Sequence, residues 1–134
     1  MTRWMLLCLC LLALASCGGN SATNTVAEGG GADHSTPEKV FAAYSAATDL
    51  GDVAGIDAVI VPAQRGRTAG ATGVSEANRG YTIVRREDRS ATEVLLHVKF
   101  KMHDEVIPHV LVLQDGKWYL DMLKTEDAII AAFE

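Results

Sequence analysis

The most distinctive reactive group in this 134-residue chain is the thiol of Cys17, which follows Leu14-Ala15-Ser16 and precedes Gly18-Gly19-Asn20. A thiolate is a polarisable nucleophile, and the small side chains of Ala15 and Ser16 give a peptidase close access to the backbone. Cys8 and Cys10, the other two cysteines, lie upstream. A cut before Cys17 therefore leaves one thiol and no internal disulfide, although exported proteins live where disulfides are permitted. The core must then hold itself together unaided.

The rest of the chain offers weaker candidates. Asp121 sits between Leu120 and Met122. If Trp118, Leu120 and Met122 form a buried strand face, Asp121 points outward and is inert. In the opposite phase it enters a cavity, where desolvation would raise its pKa and suit it to acid–base work. Tyr44 is either a core tyrosine with a satisfied hydroxyl or a polar group in a pocket. Arg85 opens the charged run Arg85-Arg86-Glu87-Asp88-Arg89, which reads as a solvated face, with the option that Arg85 closes a pocket over an anion. Phe41 and Trp118 complete the candidate pocket set, both reading first as core. His97 and His103 share a strand face but lie six residues apart, ~20 Å in extended chain, too far for one metal ion. His109 falls on the next strand, opposite about residue 100, and His34 reads as a lone exposed side chain. No metal site and no cofactor is expected. No serine has nucleophile-elbow glycines around it. The glycine clusters are followed by no helix carrying Lys-Ser/Thr, so there is no phosphate loop.

Those residues need an address and a scaffold. Trp4 to Ala15 is a 12-residue apolar run after Arg3, too short to cross ~30 Å of hydrocarbon and suited to the core of a signal peptide. With Arg3 removed, 11 basic and 17 acidic side chains remain, a net charge of −6 against −5 for the whole chain. That balance argues against a nucleic-acid partner and against electrostatic adhesion to anionic lipid. Residues 18–35 are rich in glycine and small polar residues, with Val26 the one sizeable apolar side chain. They cannot offset their ordering entropy and read as a flexible tether with a reach of ~24 Å.

Leu14-Ala15-Ser16-Cys17 resembles the lipobox of bacterial lipoproteins. The resemblance implies that Cys17 takes a diacylglyceryl group and that the chain is cleaved before it, giving a signal peptide at 1–16, a lipidated cysteine and tether at 17–35, and a domain at 36–134. Two or more acyl chains anchor stably where one holds only marginally. Gly18 rather than Asp after the cysteine implies, in a Gram-negative envelope, the periplasmic face of the outer membrane.

Within the domain, Thr36 is a good N-cap before Pro37 at the first helical position, with Ser35 and Glu38 offering a rival capping-box register. Val40, Phe41, Tyr44 and Ala47 share one helix face, and Gly51 ends the helix. Asp52 caps a second short helix bearing Val53, Ile56, Val59 and Ile60, and Pro62 stops it. Residues 62–79 read as a long glycine-containing loop. From Gly80 the apolar period becomes two. Tyr81 to Glu87 reads as a strand with Tyr81, Ile83 and Arg85 on one side. Ala91 to Met102 has Val94, Leu96, Val98, Phe100 and Met102 on one face. Val106 to Leu113 is apolar on both faces and so central, with Pro108 demanding a bulge or an edge. Asp115-Gly116 marks a tight hairpin into a strand from Lys117 to Leu123, and Thr125 is the expected cap of a short C-terminal helix.

Helices first and hairpin-linked strands after give an α+β fold, with N-terminal helices packed on a curved four-stranded antiparallel sheet. Thr36-Pro37-Glu38 with Val40, Phe41 and Tyr44, then Gly51-Asp52, then Asp115-Gly116-Lys117-Trp118-Tyr119 resemble the cystatin-like roll of the nuclear-transport-factor-2-like superfamily, over residues 36 to 123. The stretch after Lys124 departs from that pattern. The resemblance implies a concave sheet face. The expected function is a non-enzymatic, membrane-anchored accessory domain that binds a small molecule or another envelope protein. The alternative is an isomerase-, dehydratase- or cyclase-like enzyme using Asp121 with Tyr44. A third reading is a purely structural interaction module whose cone its own side chains fill.

Overall fold

The computed structural model describes residues 31–67 and 80–134. The leader, Cys17 and most of the tether, and residues 68–79 of the expected loop, lie outside the described residues.

The chain runs α1 (Pro37–Leu50), α2 (Val53–Val59), a short 3-10 turn (Pro62–Gln64), β1 (Tyr81–Ser90), β2 (Glu93–Phe100), β3 (Val106–Gln114), β4 (Lys117–Leu120) and α3 (Met122–Phe133). Thr36 caps α1 by accepting from the Lys39 N–H at 3.3 Å. Gly51 ends it in the left-handed region at φ 65°, and the next N–H, from Asp52, reaches back to the Ala47 carbonyl at 2.8 Å. Only a residue without Cβ enters that conformation freely. The Asp52 side chain then caps α2 through the Gly55 N–H.

The four strands form one antiparallel sheet in the order β1-β2-β3-β4. Asp115 and Gly116 both have positive φ, 51° and 73°, the geometry the β3–β4 hairpin requires. Because strand side chains alternate, the sheet has two apolar faces, and each is covered. On one, α1 and α2 bring Val40, Phe41, Ile56, Val59 and Ile60 against Val94, Leu96, Val98, Leu111 and Leu120. On the other, α3 lies over Leu95, Val110 and Val112, with Ala128 packed against them. The C-terminal helix is thus a third layer of an α+β sandwich.

Several expectations need correction. A register shift between Ile83 and Arg85 leaves Val84 as an extra residue, so Ile83 pairs with Val98 and Arg85 with His97. The bulge inverts the alternation, and Arg85 leaves the face shared by Tyr81 and Ile83. Residues 101–105 form the β2–β3 connection, so His109 pairs with Leu96 and not with residue 100. The fourth strand ends at Leu120, and the helix begins at Met122 under an Asp121 cap, not at Thr125. His34 is not a solitary tether residue. Its carbonyl accepts from the Trp118 N–H at 3.0 Å, and its ring Nδ1 donates to the Trp118 carbonyl at 2.6 Å.

Pro108 sits in the central strand at an edge of a local kind. The Val110 N–H bonds the Thr125 hydroxyl, so even-numbered residues of β3 direct their nitrogens toward the β4 side. β4 pairs only with Leu111 to Gln114, so among the described residues no strand faces the nitrogen of Pro108. The missing N–H removes no ladder bond there.

Candidate functional site

The candidate pocket residues separate onto different parts of the fold. Phe41 is fully buried, edge-on to Tyr81 at 4.9 Å between ring centroids and to His109 at 4.8 Å. Tyr44 is half-buried with its ring 6.0 Å from Phe41, and burial pushes its phenol pKa up. Trp118 packs half-buried against the same cluster. All three face the same apolar core, Phe41 and Tyr44 from α1 and Trp118 from β4.

Arg85 and Asp121 do not join them. The bulge sends Arg85 to the α3 face, where its guanidinium donates to His97 Nε2 at 2.7 Å and lies 3.3 Å from Glu87. Arg89, Glu93 and Lys124 continue this cluster. Its members are largely exposed, and such pairs contribute little to stability. Arg85, Glu87 and Arg89 lie on β1, the outer strand of the sheet, where charge discourages edge-to-edge association. Asp121 is buried, neither facing solvent nor entering a cavity. Its Oδ1 accepts from the Lys124 N–H at 3.0 Å and from Gln64 Nε2 at 2.9 Å. That oxygen is committed to a helix cap and to a buried amide.

Of several concavities on the described surface, one of about 320 Å³ is bordered by Arg85, Glu87 and His97, and two others flank the helices. The larger is a groove of about 600 Å³ along α3, lined by Arg67, Met122, Leu123, Thr125, Glu126, Ile129 and Ile130. Leu123 and Ile130 are 43% and 52% exposed, and Phe133, one turn beyond Ile129, is 58% exposed. The helix is apolar on both sides: one covers the sheet, and the other lines the groove, with Arg67 the one lining residue from outside α3. Among the described residues, neither Arg67 nor Glu126 has an ion-pair partner.

The smaller is a cavity of about 180 Å³ between α1 and the sheet, lined by Tyr44, Ser45, Thr48, Asp49, Phe100, Ile107 and His109. His109 is only 7% exposed. Its Nδ1 lies 3.2 Å from the Ile107 carbonyl. A carbonyl can only accept, so Nδ1 carries the proton and Nε2 of the neutral ring presents a lone pair. Desolvation lowers its pKa to about 4, the bond to Ile107 opposing the shift. Sequence reasoning placed His109 among solvated or edge histidines. The signal that would have found it is parity: it alternates with Ile107 and Leu111 and so shares their face. Among the described residues no three His, Cys, Asp or Glu side chains come together as a metal site.

No family model, curated protein or solved structure matches this chain.

Proposed function

We propose that this protein is a non-enzymatic accessory domain, held at a cell-envelope membrane by lipid on Cys17, that docks another envelope protein against α3. The observation carrying the reading is the apolar outer side of α3, where Leu123, Ile130 and Phe133 stand exposed around the groove. Isolated apolar residues on a surface are ordinary; a contiguous set with a concave centre marks a partner site. Unpaired Arg67 and Glu126 on the groove wall favour a partner element that is apolar along one side and carries both charge signs.

The anchor rests on Leu14-Ala15-Ser16-Cys17 and the short apolar run before it. The likeness to a cystatin-like roll rests on α1 packed across a four-stranded antiparallel sheet, with the Asp115-Gly116 hairpin in place. The roles of Asp121 as a cap and Arg85 as a surface ion-pair partner count against the isomerase- or cyclase-like alternative. A histidine titrating at about 4 is also a weak base at neutral pH.

The test is site-specific photo-crosslinking in cells from positions 123 and 130, with position 92 in the β1–β2 turn as control. A discrete adduct to one envelope protein from 123 and 130, absent from 92, is the expected result. Equal labelling from all three positions, or an adduct only to a second copy of this chain, contradicts the reading.

A further inference from the structure

Beneath α1, on the face opposite the groove, the cavity around His109 has no part in the reading above. Its chemistry is one-sided. No described buried side-chain nitrogen or oxygen lacks a partner, and among the described residues no hydrogen bond is made by His109 Nε2, so that atom retains some exposure, and His109 lines the cavity. Nε2 is an acceptor, because Nδ1 holds the ring proton against the Ile107 carbonyl. The Thr48 hydroxyl donates to the Tyr44 carbonyl at 2.8 Å, which leaves its oxygen as a further acceptor. Asp49 contributes the one charged side chain of the lining, and no Lys or Arg is present. The remaining walls are the rings of Phe100 and Tyr44, the side chain of Ile107, and the hydroxyls of Ser45 and Tyr44, which can donate or accept.

One carboxylate, no cationic side chain, a histidine acceptor and aromatic surface favour a donor that is positively charged, and the Ser45 and Tyr44 hydroxyls can turn their oxygens toward it. An ammonium brings three N–H donors and no lone pair, is attracted by a carboxylate in a partly desolvated site, and is favoured near aromatic faces. Size limits the rest of the molecule. About 180 Å³ equals the share of roughly six waters in the liquid. We propose that the cavity between α1 and the β2–β3 end of the sheet is a binding site for a small protonated amine, a short alkylammonium whose nitrogen lies between His109 Nε2 and the Asp49 carboxylate and whose chain lies against Phe100 and Ile107.

The site differs from an acid–base centre in one respect. His109 stays neutral through the physiological range, so it accepts a hydrogen bond from the ligand without taking its proton. No bond is made or broken. The domain senses or carries the amine.

Three probes of matched length separate charge from shape: n-butylammonium, 1-butanol and butyrate. Each is titrated into the folded domain while the ¹⁵N resonances of the His109 ring are followed. Ligands this small reach millimolar affinity at best, so the titration extends into the tens of millimolar. Butylammonium should shift Nε2 saturably, and butanol and butyrate should bind at least tenfold more weakly. Asp49→Asn should weaken butylammonium binding about tenfold or more, while Asp104→Asn in the β2–β3 connection leaves it unchanged. His109→Leu, followed through the backbone amide resonances of Tyr44 to Asp49, should abolish binding, its fold checked by thermal melting. The Asp49 comparison keeps the test decisive if the histidine variant does not fold. Equal response to butanol, no effect of Asp49→Asn, or no shift at all overturns the proposal.

Discussion

Gln64 and Asp121 hold each other in a two-way clasp. Gln64 Nε2 donates to Asp121 Oδ1 at 2.9 Å, and Gln64 Oε1 accepts from the N–H of Met122, the residue after Asp121, at 2.8 Å. The pair ties the 3-10 turn after α2 to the point where β4 becomes α3, and it is reinforced by the Val61 N–H bonding the Leu120 carbonyl at 3.0 Å. Through it the helix on one face of the sheet is coupled to the helices on the other.

Asp121→Ala removes the cap of α3 and leaves the Gln64 amide without its acceptor in a buried setting. Loss of a cap costs about 1 kcal/mol and an orphaned buried donor about 1–3 more. The expected destabilisation is about 2–3 kcal/mol in urea unfolding, with Asp121→Asn milder because a carbonyl oxygen remains. A double-mutant cycle with Gln64→Ala should give a coupling of about 1 kcal/mol. Additive costs would mean that the two residues act separately.

Thr125 fills a place that β4 is too short to reach. Its hydroxyl accepts from the Val110 N–H at 2.9 Å, and both groups are buried. Thr125→Val keeps the volume and removes the acceptor, so the backbone donor is stranded. The expected cost is about 1–3 kcal/mol, with faster amide exchange at Val110 than at Val112. Pro108→Ala is the contrast. With no described strand opposite the Pro108 nitrogen, the change should cost about 1 kcal/mol or less, mainly through the unfolded chain. Unchanged exchange at Val110 in Thr125→Val would remove the hydroxyl from this role.

Much of this architecture was legible because single residues carry it. Thr36, Pro37, Gly51 and Asp52 bracket α1 and start α2 by local chemistry alone, and Asp115-Gly116 permits only a tight hairpin. The apolar residues on both faces of β3 announced a central strand. Val84 was not legible. A bulge adds a residue without changing composition, so the face assigned to Arg85 depended on pairing that no local pattern encodes. His109 was misplaced for a related reason: its partner depends on where β2 ends, and Met102 extended the alternation past Phe100. Asp121 and Thr125 both look like helix caps, four residues apart. Which one starts the helix is decided by contacts distant in sequence, Gln64 for Asp121 and Val110 for Thr125. The candidate pocket set consequently left out the histidine that stands beside Phe41.

His109 predicts a pH dependence of stability with a definite sign. Its pKa falls from an ordinary 6.5 to about 4 on burial, so between these values the unfolded chain binds a proton that the folded chain does not. Stability is therefore complete above about pH 6.5 and declines as the pH falls toward 4. The loss approaches about 3 kcal/mol if the whole shift is expressed. Denaturant unfolding at pH 7, 5.5 and 4 should show the decline, and His109→Leu should flatten the part belonging to this residue. An identical slope in the variant would assign the acid sensitivity to other groups.

Cys17→Ser separates anchor from fold. In the reading proposed above, the wild-type chain loses its first 16 residues and gains acyl mass at Cys17, while the serine variant gains none and retains its leader. The domain itself should melt at the same temperature in both, because its described core is built from residues 40–120. Intact-mass spectrometry with membrane fractionation checks this. Wild-type protein without acyl mass would end the lipoprotein reading while leaving the α3 groove untouched.

Ile130→Lys tests whether the outer side of α3 is a working surface or an incidental one. The residue is 52% exposed, so the substitution removes little buried area, and lysine forms helix about as well as isoleucine or better. A change in stability within about 0.5 kcal/mol is therefore expected. At an interface the same change would bury an unpaired charge, and cutting the partner's affinity tenfold requires only about 1.4 kcal/mol. The combination expected is an unshifted melting curve with the crosslinked adduct from position 123 reduced at least tenfold. If the melting temperature instead falls by ten degrees or more, Ile130 belongs to the core and α3 offers no docking face. A full-strength adduct on an unshifted fold would place the partner elsewhere on the domain.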